Sequence, residues 1–295
     1  MTMQRNRLTA ALIVTLALGG ASGAVTPGAA AGVEGSRMRA ITVYLTPGQK
    51  VRQLHVSGTD RGDSVTIEPV DAEHLQVSVG FGQVISLDDA AGACVQTAPK
   101  AVVCPDDLDG LHVILGDGED QVSFQYGLDP HPVEIDTGGG DDRVYVWRDY
   151  VNAGGSFVRI FGRGGNDVVS DSHDRVGLVT SFMGGRGDDE AEGVSRARGG
   201  PGDDVLTTPQ VLPGELLGGP GRDRLSGRAG DDALRGGSGA DRITDSGGDD
   251  VVYGGGGPDR IASDDGGHDD LNCGPGLDRV RRDWRDFTFR CETVS

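Results

Sequence analysis

Aspartates recur at fixed intervals in the second half of the chain, and their spacing is the feature that could do chemistry. Asp204, Asp223, Asp241, Asp259 and Asp278 are separated by 19, 18, 18 and 19 residues, and Asp232, Asp250 and Asp269 by 18 and 19. A carboxylate is a hard oxygen donor, so rows of them at a constant repeat distance suit hard cations. Oxygen-only ligation by carboxylates and backbone carbonyls favours Ca²⁺, which accepts a forgiving geometry, over Mg²⁺, which demands a tight octahedron. The rows are also an electrostatic burden. Two carboxylates one strand spacing apart, about 4.8 Å, repel by about 1 kcal/mol in water and about 3.5 kcal/mol at an effective dielectric of 20. Such a stack needs cations between its layers, and the six gaps along the two rows are the candidate positions.

The elements that must position these aspartates follow from a nine-residue period. Aligned on the aspartate, the chain reads GGPGRDRLS from 218, GRAGDDALR from 227, GGSGADRIT from 236, DSGGDDVVY from 245 and GGGGPDRIA from 254, with looser copies DDGGHDDLN from 264 and CGPGLDRVR from 273. A fixed period of this kind implies stacked units that contact mainly their neighbours. Glycine at the first, second and fourth positions is expected to allow positive φ, sharp turns and inward carbonyls, making Gly218, Gly236, Gly237, Gly239, Gly254 and Gly255 part of the candidate site. The aspartate at the sixth position and the single aliphatic at the eighth (Leu225, Leu234, Ile243, Val252, Ile261) lie on one side of a short strand, and the seventh and ninth face water. Two nine-residue halves then close one coil of 18. The predicted fold is all-β, a parallel β-roll or β-solenoid.

GGxGxDxUx resembles the calcium-binding nonapeptide of the hemolysin-type (RTX) family, and the resemblance implies a parallel β-roll with calcium in its turns. The stretches LNCGPGLDRV followed by CETV, and GACVQTAPKAVVC before GDGEDQV, are similar to secreted actinobacterial calcium-binding proteins that carry these repeats. That broader likeness implies little beyond calcium binding. Several copies depart from the pattern. Arg163 and Arg228 stand at the second glycine, where positive φ costs a non-glycine residue about 1–2 kcal/mol. Ser246, Asp265 and Thr137 are milder departures, and Cys273 replaces a first glycine.

Upstream, GDGEDQV, GGGDDRV, GRGGNDVV and GGRGDDEA place Asp120, Asp142, Asp167 and Asp189 at intervals of 22, 25 and 22 residues, with 15 more to Asp204. These read as longer coils with an acidic turn on one edge only and weaker or absent ions. Their other strands should bury more hydrophobic area through Val133, Phe157, Phe161 and Phe182. Residues 32–110 alternate as half-buried strands and read as an N-terminal β section covering the first coil. The solenoid is then divided into longer coils over 111–215 and the regular roll over 216–282. Residues 283–295, with Trp284, Phe287 and Phe289, read as a cap over the open end. The start of the chain, 1–31, has the pattern of a secretory signal: Arg5 and Arg7, an apolar run from Leu8 to Leu18, then small residues. The four cysteines fall in two close pairs, Cys94 with Cys104 and Cys273 with Cys291, which read as local disulfides although three connectivities exist.

Composition narrows the function classes. A net charge of −19 argues against nucleic acid or anionic membrane as partner and for cations, and no apolar run reaches the roughly 20 residues a membrane span needs. With 51 glycines and 5% aromatics, a wide core is excluded, so an elongated monomer is expected. Among His55, His74, His112, His131, His173 and His268 there is no His-Glu-x-x-His, and no Gly-x-Ser-x-Gly occurs. Only two lysines, Lys50 and Lys100, are present, and neither follows a glycine-rich loop. The RGDS at 61–64 follows the glycine–aspartate–strand logic of the repeats rather than marking an adhesive loop. Arg224, Arg242 and Arg260 share the outward seventh position and could meet a glycan or the cell envelope, though they also offset the acidic edge. The reading is a secreted, extracellular, non-enzymatic calcium-binding β-roll. The alternatives are a calcium-dependent polysaccharide-binding protein or lyase and a cell-surface adhesin.

Overall fold

A computed structural model describes residues 39–45, 53–71, 73–87, 93–106, 108–126, 132–148, 156–172 and 178–295; the expected export signal at 1–31 lies outside them. The described strands form two sheets, of 13 and 14 strands, and the chain alternates between them at every step along the solenoid. No helix is present among the described residues, and none therefore is long and apolar enough to cross a membrane.

The nine-residue period dictates this winding. Each repeat supplies one short strand, a glycine-rich turn carries the chain to the opposite sheet, and the next repeat brings it back one layer higher. Arg224, Arg242, Arg260 and Arg279 are direct neighbours in the parallel register of one sheet. In the other, Leu216, Leu234, Val252 and Leu271 stack in the same way. Alternation at period two sends the arginines out and the aliphatics in. Leu225, Ile243, Ile261 and Val280 are between 0 and 3% exposed. A strand such as Arg242–Thr244, three residues long, can point only one side chain inward. The core of a regular coil is thus two aliphatics facing each other, a small apolar contribution against the conformational entropy of an 18-residue loop.

Upstream coils are wider. Strands Ser156–Gly164 and Leu178–Arg186 each run nine residues and pair in parallel. Of the four residues expected inside, Val133 and Phe182 are buried, but Phe157 is 48% exposed and Phe161 lies half-buried under the Arg163 guanidinium. Strand phase is the reason: Val158 and Ile160 take the inward positions, which puts Phe157 and Phe161 on the opposite face.

The N-terminal section is more closely joined to the solenoid than its different texture suggests. Gln53–Ser57 runs parallel to Gly110–Ile114, and Ser64–Pro69 parallel to Gln121–Tyr126, so these two strands form a coil of the solenoid. The covering layer is made by Arg39–Leu45, antiparallel to Gln53–Ser57, and by His74–Val79 and Ala101–Pro105 on the second sheet. Cys94 and Cys104 are bonded at the outer edge of that layer.

At the other end, Phe287–Phe289 and Thr293–Val294 add a last strand to each sheet, and Cys291 is bonded to Cys273 in the coil before. The tail therefore extends the solenoid by backbone pairing. Its aromatics do not form a plug: Trp284, Phe287 and Phe289 are 83, 66 and 50% exposed.

Candidate metal centre

Along the edge where the chain passes from the 13-stranded to the 14-stranded sheet, the aspartates form one continuous ladder. The backbone N–H of Asp204 donates to Oδ1 of Asp223 at 2.9 Å, that of Asp223 to Asp241 at 2.9 Å, Asp241 to Asp259 at 2.9 Å and Asp259 to Asp278 at 2.8 Å. The upstream aspartates continue it without a break: Asp120 donates to Asp142, Asp142 to Asp167, Asp167 to Asp189 and Asp189 to Asp204, at 2.7 to 3.0 Å. The longer coils thus take up their extra residues away from this corner. On the opposite edge Asp232, Asp250 and Asp269 repeat the ladder at 2.5 and 2.9 Å.

One oxygen of each carboxylate is spent on the ladder. The other, Oδ2 of Asp167, Asp189, Asp204, Asp223, Asp241, Asp259 and Asp278, is buried and accepts no hydrogen bond from the described residues. An ionised oxygen shut from water without a partner is strongly unfavourable. Desolvation accordingly raises these carboxyl groups, only partly offset by the N–H each accepts: Asp167, Asp204 and Asp259 to about 6, and Asp189 and Asp223 to about 7. Asp142, Asp241 and Asp278 are raised for the same first cause, and on the other edge Asp232 is raised to about 7.

The glycines explain where a cation would fit. At Gly254 an added Cβ would lie 2.7 Å from Oδ2 of Asp259 and 2.5 Å from the carbonyl oxygen of Cys273 in the next coil. The same pair of oxygens, its own sixth-position carboxylate and the next coil's first-position carbonyl, surrounds Gly218 and Gly236. The first glycine is therefore required for room, and the expectation of positive φ there is corrected: Gly218, Gly236 and Gly254 are not among the positive-φ residues. The second and fourth glycines are, Gly237 at 121°, Gly239 at 138° and Gly255 at 111°. Buried carboxylate oxygens and carbonyls converging with no side chain between them fit a hard divalent cation. Gly254→Ala should remove one cradle and cost about 2–4 kcal/mol in calcium-saturated urea denaturation. Gly247→Ala, at φ 100° with nothing within 4 Å of the added Cβ, should cost only the about 1–2 kcal/mol of its backbone strain. Equal losses would show that the cradle is not what the first glycine protects.

The departures sort differently from their sequence reading. Arg163 does adopt φ 73°, and its guanidinium is held by Asp136. Arg228 escapes that cost: its φ is not positive, its N–H donates to Thr208 Oγ1 at 2.9 Å and its guanidinium pairs with Glu192 at 2.9 Å.

A family model for the RTX calcium-binding nonapeptide repeat matches the chain in four copies, over residues 148–170, 215–243, 235–267 and 244–279. The chain carries RTX calcium-binding repeats. No curated protein matches it. The RTX copies contain Asp223, Asp232, Asp241, Asp250, Asp259, Asp269 and Asp278, and the first contains Asp167, so one of the longer coils bears an RTX turn as well. Ligation of calcium is the property that this repeat family implies, and the ladder with its unsatisfied oxygens is compatible with it.

Five residues of the corners escape a reading by repeat alone. Asp63, in the RGDS stretch, is 2% exposed and donates its N–H to Asp120 Oδ1 at 2.6 Å, while Gln83 and Thr59 bind its own oxygens. It belongs to the ladder and is not presented to a receptor. Asp286 and Glu292 end the two ladders by accepting the N–H groups of Asp269 at 3.3 Å and Asp278 at 2.9 Å. Asp245 and Ser263 occupy the first-position corner on the second edge, where Gly227 stands one coil earlier. The signal for Asp245 was in the sequence, as the only aspartate at a first position among the five regular copies.

Proposed function

We propose that the protein is a secreted, non-enzymatic calcium-binding β-roll whose aspartate ladders take Ca²⁺ between successive coils, so that folding is coupled to extracellular calcium. The observation that carries this reading is the file of buried Oδ2 atoms that accept no hydrogen bond from the described residues, those of Asp223, Asp241 and Asp259 lying beside a first-position carbonyl of the next coil. Oδ1 of each carboxylate is fixed by a backbone N–H, and in the folded coil this aims the second oxygen at the cradle. In the ion-bound state Ca²⁺ supplies the positive charge that the ladder lacks. The apolar run at Leu8–Leu18 and two disulfides support export, where calcium is millimolar and thiols oxidise.

The test is stoichiometry. Equilibrium dialysis or calorimetry on the mature chain should find at least about six ions, with affinities near the about 10⁻⁴–10⁻³ M common to extracellular modules. A chain that binds none up to 10 mM would end the proposal.

A second reading has one observation in its favour. Arg224, Arg242, Arg260 and Arg279 are exposed and in direct register, and none of the ion pairs among the described residues uses them. A row of guanidinium groups one strand spacing apart offers regularly spaced charge-assisted hydrogen bonds to a linear polyanion such as a uronate polymer. The arginines line one cleft with Asp223, Asp241 and Asp259 of the ladder, each one residue on from its aspartate, so a polyanion held there would lie beside the calcium row and the second reading extends the first.

A further inference from the structure

The corner at Asp245 is built differently from every other turn of the roll. At Gly218, Gly236 and Gly254, the absent side chain leaves room for the turn's own aspartate. In the repeat that begins at 245 the first position carries a carboxylate instead, and it points into the solenoid, 4% exposed. Asp250, from the same turn, and Asp269, from the next, are each 1% exposed, and the three offer carboxylate oxygens that lie within 4.8 Å of one another.

The hydrogen bonding of this corner does not close. Ser263 Oγ lies 2.8 Å from Asp245 Oδ2 and 2.6 Å from Asp269 Oδ2, yet a hydroxyl carries one hydrogen and can donate to only one of them. Asp245 Oδ1 and Asp250 Oδ2 are buried and accept no N–H or hydroxyl hydrogen among the described residues; the two carboxyl groups face each other and can hydrogen-bond only if one of them keeps a proton. No lysine or arginine side chain reaches the cluster in any ion pair among the described residues. Three carboxylates and a hydroxyl oxygen, converging from two successive turns on one edge and short of positive charge, have the donor set of a hard-cation site.

We propose that Asp245, Asp250, Asp269 and the Ser263 hydroxyl form a single high-affinity site for a hard, oxygen-seeking cation, Ca²⁺ or a lanthanide in its place, in which the Asp250–Asp269 gap gains a third carboxylate that the other gaps of the repeat lack. This rests on the calcium-binding reading above and adds to it one site that differs from the others and the residue that makes it differ. Affinity of an oxygen site rises with its count of charged ligands, so the third carboxylate makes this corner the first to fill. The increment comes from Asp245 alone, because the sixth-position aspartates are common to all the turns.

The experiment is a terbium and calcium titration of the full mature chain beside Asp245→Gly, Asp245→Asn and Ser263→Ala. Asp245→Gly restores the residue that the other four regular copies carry, so it should fold, and circular dichroism in saturating calcium checks that it does. The wild-type chain should show one site that fills before the rest. Asp245→Gly and Asp245→Asn should both weaken that site by about tenfold or more while leaving the number and affinity of the weaker sites unchanged. Ser263→Ala should weaken it less. Asparagine keeps the size and hydrogen-bonding capacity of a protonated aspartate, so an unchanged tight site in Asp245→Asn would mean that the corner is closed by a proton and would overturn the proposal. So would a wild-type isotherm with all sites alike. A chain that binds calcium nowhere would instead refute the broader reading, whereas normal weak sites without the tight one refute this inference only.

Discussion

Stripped of calcium at pH 8, the chain should lose most of the β-sheet circular dichroism contributed by its regular repeats and regain it at millimolar calcium. The expectation follows from two quantities. Burial raises Asp189 and Asp223 to about 7 and Asp167, Asp204 and Asp259 to about 6, against 3.8 for the ordinary group. At about 1.4 kcal/mol per unit, ionising each costs the metal-free fold on the order of 3–4.5 kcal/mol, and several such groups together are comparable with the about 5–15 kcal/mol by which a domain is normally stable. Against this, each regular coil has only a pair of inward aliphatics, such as Ile243 facing the Leu234 and Val252 strands. Calcium reverses the balance. An ion at tenfold its Kd adds about 1.4 kcal/mol, and six gaps add about 8 kcal/mol. Limited trypsin digestion locates the effect: Arg222, Arg224, Arg235 and Arg242 lie at exposed positions on the roll and should be cleaved rapidly in chelator and slowly in calcium. The N-terminal layers, with long strands and the Cys94–Cys104 bond, should resist longer in both. A far-ultraviolet spectrum indifferent to calcium from micromolar to 10 mM would sink the coupling.

How far the sequence discloses this depends on the kind of constraint. Subtracting residue numbers was enough to stack Asp204, Asp223, Asp241, Asp259 and Asp278, because a parallel solenoid converts a constant interval into a constant height, and the register Arg224–Arg242–Arg260–Arg279 follows the same intervals. The disulfide partners are legible from closeness along the chain, Cys94 with Cys104 and Cys273 with Cys291, and the second pair, 18 residues apart, spans one coil. What intervals do not carry is side-chain direction within a turn. Positive φ was expected at all three glycines, yet the first is glycine because Oδ2 of Asp241 and its counterparts fold back over it. Asp245 is not legible as a ligand for that reason, since the weight of a departure at a turn position depends on the cradle it faces. Phe157 and Phe161 mark a second limit. In a long strand the inward phase depends on where the turn releases the chain, and one residue of slip exchanges the faces. Asp63 marks a third, because it joins the ladder across 57 residues, an interval that no period relates to the repeats.

Acid should do part of calcium's work. The relevant carboxyl groups have pKa values raised in the folded state, so the fold binds more protons than the unfolded chain between about pH 4 and pH 7, and the stability of the calcium-free protein must rise as pH falls through that window. At pH 5, dialysed free of calcium and kept dilute because the sequence pI is about 4.5, the protein should recover much of the β-sheet signal that it lacks at pH 8. Calcium must meanwhile bind less tightly, since each ion then displaces protons from the same oxygens. General relief of the −19 net charge would also stabilise a compact state in acid, and one substitution separates the two causes. Asp223→Asn keeps the shape of the side chain, retains an oxygen for the N–H of Asp204 and changes the total charge by one unit. If the buried ladder is responsible, this variant should gain on the order of 4 kcal/mol of calcium-free stability at pH 8, the cost that a shift from 3.8 to about 7 implies, and should flatten the acid response while losing calcium affinity. Replacing the exposed Asp231 by Asn changes the net charge equally and should do almost nothing. Were the two variants alike, the response to acid would belong to the surface charge, and the carboxylates in the corners would not be what holds the calcium-free coils apart.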